Sequence, residues 1–466
     1  MHDQYESPLA TRYASREMSA LFSLRRRIVL FRKLWISLAS AQKKLGLNIT
    51  ERQIDQMRKC HEDIPFEKAA EYEKRFRHDV VAHIHTFGDQ CPDAKPIIHL
   101  GATSTYVTDN ADLIQLKEAL RLIIAKLSIA IRRLATFAEK YADTPTIGLT
   151  HYQSAQPTTV GKRACLWLQD LLTDAIEFER IEKELPFLGA KGATGTQASF
   201  LALFNGDEEK VKQLEKLIAA DFGFNTILPI SGQTYPRKID LLSLNALAAF
   251  ASGVHKMATD LRLLAHDQEM FEPHLEAQVG SSAMPYKRNP IYAERICGIS
   301  RFLISLSQNP AYTLAVQWFE RTLDDSANRR LSIPEAFLSA DAILNILIPL
   351  IDDLHVEGPN IQRHLEDALP QLMIENILME AVKRGGNRQE LHEKLRRLNQ
   401  AKKLTAKNIA ADSAFGLTEE EVSKFSDIAA LIGRAPAQVR EFIKGPVEAF
   451  LKRHAHLSIA LPPLEV

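Results

Sequence analysis

Glycine is scarce in this sequence, 20 of 466 residues, and aromatic residues make up only 7% of it. Both shortages argue against a sheet-rich enzyme with many tight turns and favour a helical chain. Cysteine is rarer still: Cys60, Cys91, Cys165 and Cys297 are scattered, with no CxxC pair and no Cys/His cluster. That spacing excludes the usual disulfide frameworks and zinc sites, and suits reduced thiols in a cytoplasmic protein. Excess charge is absent, because 58 Lys and Arg balance 58 Asp and Glu. Such neutrality speaks against a nucleic-acid binder or a polyelectrolyte tail. The opening residues MHDQYESPLATRY hold no basic stretch leading into an apolar run, so no signal peptide is expected. No apolar run suits a membrane either: Leu241 to Val254 gives 14 uncharged residues, against the roughly 20 a spanning helix needs.

What the sequence does have is apolar residues, 45% of the total, in long helical periodicity. From Asp112 to Tyr141 there is no Gly or Pro, and Leu113, Leu116, Leu120, Ile123, Leu127, Ile131, Leu134 and Phe137 fall on one helical face. Such a helix would run about 45 Å, with Asp109 or Asn110 as its N-cap. Thr158–Glu184, Ile239–Leu264, Ile291–Leu306 and Ala336–Leu354 are further helix candidates, and Pro349 is expected to kink or end the last. Wide apolar faces on several long helices predict an all-α bundle, some of whose faces other subunits could cover. The expected division is an N-terminal helical domain, 1–103, a central long-helix bundle, 104–356, and a C-terminal helical domain, 357–466. Gly385-Gly386 and Gly445-Pro446 are expected breaks within the last.

Four segments depart from the helical pattern and concentrate small polar residues: His99–Ser104, Thr150–Gln153, Lys191–Gln197 and Gly280–Pro290. Each alone could be a plain connector. The fourth, however, resembles the signature loop GSSxMPxKxNP of the fumarase/aspartase superfamily through Gly280, Ser281, Ser282, Met284, Pro285, Lys287, Asn289 and Pro290. The TS-type and THxQ-type segments precede it in the superfamily's order. Within the superfamily the chain is similar to the adenylosuccinate lyases, through Arg77-His78-Asp79, GATSTYVTDN, KGATGTQASF, PYKRNP and ERTLDDSANRR. Fumarases usually carry Gly-Lys-Val in place of Tyr286-Lys287-Arg288, and argininosuccinate lyases Gln-Lys-Lys.

This resemblance spans about Arg12 to Arg330. It implies a cytoplasmic carbon–nitrogen lyase of purine nucleotide biosynthesis, without cofactor or metal, releasing fumarate by β-elimination. Adenylosuccinate would give AMP, and SAICAR would give AICAR. It further implies a homotetramer with each site shared by three chains, and no nucleic-acid or membrane partner. Ser281 would be the general base, with Lys287 stabilising its alkoxide and the aci-carboxylate, and Gly280 letting the loop hinge. His151 would be the general acid, oriented by Glu294, with His78 as the rival acid or a substrate contact. The implied substrate-binding residues are Arg12, Tyr13, Arg77, His78, Asp79, Thr103, Ser104, Thr150, Gln233, Asn289, Arg295, Arg321, Ser326 and Arg330. Arginine suits carboxylate and phosphate by bidentate donation, whereas Ser, Thr, Gln and Asn suit neutral polar atoms. Arg329, one residue from Arg330, is expected to face elsewhere as a surface charge. Argininosuccinate lyase or another fumarate-releasing lyase is the alternative, and a crystallin-like non-catalytic protein a further one.

Overall fold

A computed structural model describes residues 3–273, 284 and 287–457. Ser281, Ser282 and Gly280 lie outside the described residues, as do Pro285 and Tyr286 of the same loop. The fold is all-α. Its centre is a bundle of α1 (Ser104–Lys140), α2 (Val160–Glu184), α3 (Lys238–His266), α4 (Ile291–Leu306) and α5 (Asp325–Asp352). Between α1 and α2 stands an antiparallel hairpin, β1 (Pro145–Thr150) and β2 (Gln153–Thr159), which helical periodicity could not reveal.

The apolar stripe read on α1 is buried along its whole length, from Leu113 to Phe137. Each such side chain contributes roughly 1.5–3 kcal/mol on leaving water. The helix begins eight residues earlier than the periodicity indicated, with Thr103 as N-cap, and at 37 residues spans about 55 Å. Asp109 and Asn110 are therefore interior residues, not caps. Asn110 Oδ1 accepts the Leu188 and Gly189 N–H groups, both at 3.1 Å, so its amide grips the segment leading to KGATGT.

Helix α5 departs most from expectation. It starts at Asp325, eleven residues before Ala336, and continues through Pro334 and Pro349 to Asp352. Proline costs a helix interior about 3 kcal/mol. Burial on nearly every side, from Ser332 to Ile351, offsets that loss. By length and composition α5 could cross a membrane, but its apolar window is mostly buried within the protein core. Lys126 of α1 pairs with Asp341 inside this core and reaches Asn345 Oδ1 at 2.8 Å.

Two hydrophobic cores exist among the described residues. The large one runs from Leu9 to Phe450, and a smaller one gathers Ile377, Leu378, Leu391, Leu395, Ile409, Phe415 and Val422. After the smaller core the chain returns, and Val439, Ile443, Val447 and Phe450 pack on the bundle. Gly445-Pro446 is not a break: a π-helical turn, Ile443–Val447, carries the helix Ala435–Phe442 into Glu448–Arg453. The N-terminal region also holds a longer helix than its prolines suggested, Leu24–Lys44. All four cysteines are free, and Cys60 Sγ lies 3.3 Å from Cys91 Sγ.

Candidate active site

One end of the bundle carries a cleft of about 750 Å³. Arg77, His78, Asp79, Ser104, Gln233, Arg321, Ser326 and Arg330 all line it, from four separate stretches of sequence. Arg77 ends the helix Phe66–Phe76 with a left-handed backbone (φ 54°), which reverses the chain into the helix Asp79–Gln90. His78 caps that second helix, its Nδ1 accepting the Val81 N–H at 3.4 Å. In the neutral ring the proton then sits on Nε2, 3.3 Å from Ser104 Oγ. Arg330 Nη2 lies 3.3 Å from Asp79 Oδ2, and Arg321 Nη1 donates to Gln233 Oε1 at 2.7 Å.

Gly195 and Gly232 let the chain close up behind Gln233. A Cβ on Gly195 (φ +81°) would meet Ser231 O at 1.9 Å, and one on Gly232 would meet Glu320 O at 2.5 Å. Gln233 N–H donates to Glu320 O at 2.9 Å, so KGATGT, Gln233 and the ERTLDDS segment form one packed unit.

Beneath the cleft lies an ionic network that no local pattern announced. Arg237 donates to Asp109 Oδ2 at 2.9 Å and Asp325 Oδ2 at 2.6 Å. Arg329 donates to Asp240 Oδ2 at 2.7 Å, Asp112 Oδ2 at 3.0 Å and the Tyr235 hydroxyl. Burial alone would lower the Arg329 pKa, but Asp240, Tyr235 and Asp112 outweigh it and hold the guanidinium charged. Arg329 is only 8% exposed, which corrects its reading as a surface charge. The helical turn does separate it from Arg330, but inward, towards the carboxylates of α1 and α3.

The opposite end of the bundle holds the other expected groups. His151 sits at the tip of the β1–β2 hairpin, exposed, with positive φ (54°). Thr150 and Gln153 pair directly across it. Beside it, the Tyr152 hydroxyl donates to Asp267, 3.0 and 3.1 Å from its carboxylate oxygens, just past the C-terminus of α3. Glu294 and Arg295 stand in the first turn of α4 at this same end, Glu294 facing Arg262 at 3.9 Å. Glu272 accepts the Tyr292 and Ala293 N–H groups at 3.0–3.1 Å, capping α4, and burial pushes its carboxyl up to about 7. Lys287 is exposed, and Asn289 leads into α4. Arg295 Nη1 is buried without a hydrogen-bond partner among the described residues.

Helix α3 measures the separation. Arg237, on the cleft, precedes it and Asp267, bound by Tyr152 of the hairpin tip, follows it. Its 29 residues put the two ends about 43 Å apart. One chain therefore brings His78 together with Ser104, Gln233 and the arginines, but does not bring His151, Lys287, Glu294 or Arg295 to them. His151 and Glu294 make no mutual bond within the chain. Arg12 and Tyr13 occupy a third place, a π-helical turn, Leu9–Tyr13, held to the middle of α5 by Asn345 Nδ2 donating to Tyr13 O at 3.0 Å. Thr103 Oγ1 is 3.0 Å from Thr105 Oγ1 and does not line the cleft.

Known proteins carry the same sequence pattern and fold. A family described as lyase matches residues 54–304, and one described as the adenylosuccinate lyase C-terminus matches residues 370–442. Adenylosuccinate lyases of Saccharomyces cerevisiae and Schizosaccharomyces pombe are each 48% identical over 464 residues, covering 97% of this chain and 96% of theirs. That of Schistosoma mansoni is 45% identical over 458 residues, covering 96% of this chain and 95% of its own. Among solved structures, fumarate lyase from Mesorhizobium sp. BNC1 shares the fold at TM-score 0.81 and 22% identity, covering 95% of this chain and all of its own. The 3-carboxy-cis,cis-muconate lactonizing enzyme from Pseudomonas putida does so at TM-score 0.82 and 22% identity, with the same coverage. By this similarity over nearly its whole length, the chain belongs to the adenylosuccinate lyase family.

Proposed function

We propose that this chain is a carbon–nitrogen lyase that eliminates fumarate from adenylosuccinate, leaving AMP, and from SAICAR, leaving AICAR, as a step of purine nucleotide biosynthesis in the cytoplasm. The observation that carries the site reading is the convergence of Arg77, His78, Ser104, Gln233, Arg321, Ser326 and Arg330 on one cleft. A substrate with a phosphate and two carboxylates needs this density of cationic and neutral donors.

The reaction removes a weakly acidic proton beside a carboxylate, then protonates a departing nitrogen. The carbanion places a second negative charge on that carboxylate, so fixed donors aimed there lower the barrier. Ser281 is the base, and Lys287 stabilises both its alkoxide and the aci-carboxylate. His151 protonates the leaving nitrogen with Glu294 behind it, and His78 contacts the substrate through its Nε2 edge beside Ser104. Base and acid must flank the breaking bond. The length of α3, about 43 Å, stands between the cleft and the His151 hairpin in one chain and leaves a complete site to form between chains. A homotetramer whose sites draw on three subunits meets that requirement, and Arg295 Nη1, without a hydrogen-bond partner among the described residues, fits a group supplied from another chain.

The test is an ultraviolet assay of adenylosuccinate conversion to AMP and fumarate, with argininosuccinate as the alternative substrate and Ser281→Ala as the variant. Fumarate from argininosuccinate alone would replace the substrate, and full activity in Ser281→Ala would remove the assigned base.

A further inference from the structure

The β1–β2 register pairs Thr150 with Gln153, so His151 and Tyr152 alone form the turn. Both have positive φ, 54° and 57°, as a type I′ hairpin turn demands. Asn and Gly ordinarily fill those positions. Histidine tolerates the left-handed region moderately, but a bulky tyrosine there is an outlier, and such strain persists only where neighbours enforce it. One contact enforces it. The Tyr152 hydroxyl reaches both oxygens of Asp267, which the C-terminus of the long, buried helix α3 holds in place. Asp267 is mostly shielded, 28% exposed, and His266 Nδ1 lies 3.2 Å from its Oδ1.

The hairpin base is fixed independently of the tip. Glu269 lies 3.3 Å from Thr146 Oγ1, 2.9 Å from His364 Nδ1 and 3.8 Å from Arg163 Nη1. With the base secured, the two-residue tip is held by the Tyr152 hydroxyl and by Gln153 Nε2, which donates to Tyr152 O at 3.0 Å. The adjacent His151 side chain makes no hydrogen bond of its own among the described residues.

We propose that Tyr152 and Asp267 are positioning residues for His151: the hydroxyl–carboxylate bond holds the strained turn, and the turn aims the imidazole at the leaving nitrogen. This rests on His151 being the proton donor. A bond that places the acid, and touches no substrate, affects the rate of the proton-transfer step and leaves substrate affinity alone.

The experiment compares Tyr152→Phe, Asp267→Asn and the double variant in the full-length enzyme, with kcat and KM from the ultraviolet assay. Each should lower kcat by roughly ten-fold with KM within about two-fold of the parent, and the double variant should lose no more than either single, because all three break one bond. Thermal melts certify folding, and Asp267→Asn carries the test if Tyr152→Phe does not fold. In a His151→Ala background, read at raised enzyme concentration, Tyr152→Phe should cost nothing further. Unchanged kcat in both singles, a rise in KM alone, or an equal loss in the His151→Ala background would overturn the proposal. Full activity of His151→Ala by itself would instead overturn the proton-donor reading, so the two failures are separable.

Discussion

Arg329 and Arg330 are chain neighbours with opposite environments, which makes them a matched test of the ionic network beneath the cleft. Truncating Arg329 to Ala removes the donor to Asp240 at 2.7 Å, to Asp112 at 3.0 Å and to Tyr235. The buried Asp240 and the half-buried Asp112 then keep their charge with fewer partners: Asp112 still has Arg27 at 2.7 Å, while Asp240 keeps, among the described residues, the Tyr235 hydroxyl at 2.7 Å. Breaking a buried ion pair from one side costs about 3–5 kcal/mol, because the remaining charge is left desolvated. The guanidinium also packs 5.1 Å from the Tyr235 ring centroid, so its loss opens space as well. Arg330 is 59% exposed and its side chain pairs, among the described residues, with Asp79 alone, at 3.3 Å. Its truncation should change stability by no more than about 0.5 kcal/mol while raising KM for adenylosuccinate. Arg329→Lys should fall between, since one ammonium cannot reach the three partners of a planar fork. Urea midpoints of the variants, taken at one protein concentration because assembly links to stability, provide the comparison. Equal midpoints for Arg329→Ala and Arg330→Ala, or the larger loss in Arg330→Ala, would refute the reasoning.

Other outcomes follow from the same geometry. Mixing a Ser281→Ala chain with a His151→Ala chain should restore part of the activity, and mixtures as inactive as the parents would sink the site shared between chains. Gly195→Ala forces a Cβ against Ser231 O from a left-handed backbone, so it should destabilise by about 1–3 kcal/mol and raise KM through Gln233 and Arg321. A variant with parental melting temperature and KM would contradict that packing. His99 accepts the Trp35 Nε1–H at 2.9 Å, and burial, then the nearby His78, pushes its pKa down to about 4. The unfolded chain therefore binds a proton first as pH falls: this contribution is complete above about 6.5 and is lost between 6.5 and 4, on the order of 1 kcal/mol per unit. Asn tolerates the left-handed backbone of His99 (φ 69°), so His99→Asn should flatten the acid limb of a urea-midpoint profile; identical slopes from pH 6.5 to 4 would exclude His99 as its source.

Much of the molecule was legible in the residues alone, for a definite reason. Apolar steps of three and four bury one face of a rod whatever else the chain does, so α1, α2, α3 and α4 stood out from periodicity, α4 with both ends at Ile291 and Leu306. Their ends were harder. Ser104 to Ala111 mixes polar residues whose partners are distant: Asp109 meets Arg237, 128 residues away. Without those partners it looked like a cap. The hairpin 145–159 was hidden because its strands are short and half-exposed, and α5 was cut short because proline penalties are local while the packing that overrides them is not.

The sequence by itself determined the helical class and, through GSSAMPYKRNP, THYQ and ERTLDDSANRR, the family and the chemistry, because a reaction of this kind constrains residue identity at short spacing. Only the tertiary structure decided which of those residues meet. Folding gathers Arg77, Ser104, Gln233 and Arg330 at one end of the bundle and sends His151, Lys287 and Glu294 to the other. It also turns Arg329 inward and Arg330 outward. The cause in both cases is geometric: a rigid rod of 29 residues fixes distance, and a helical turn of about 100° per residue fixes direction, and neither is written at any single position.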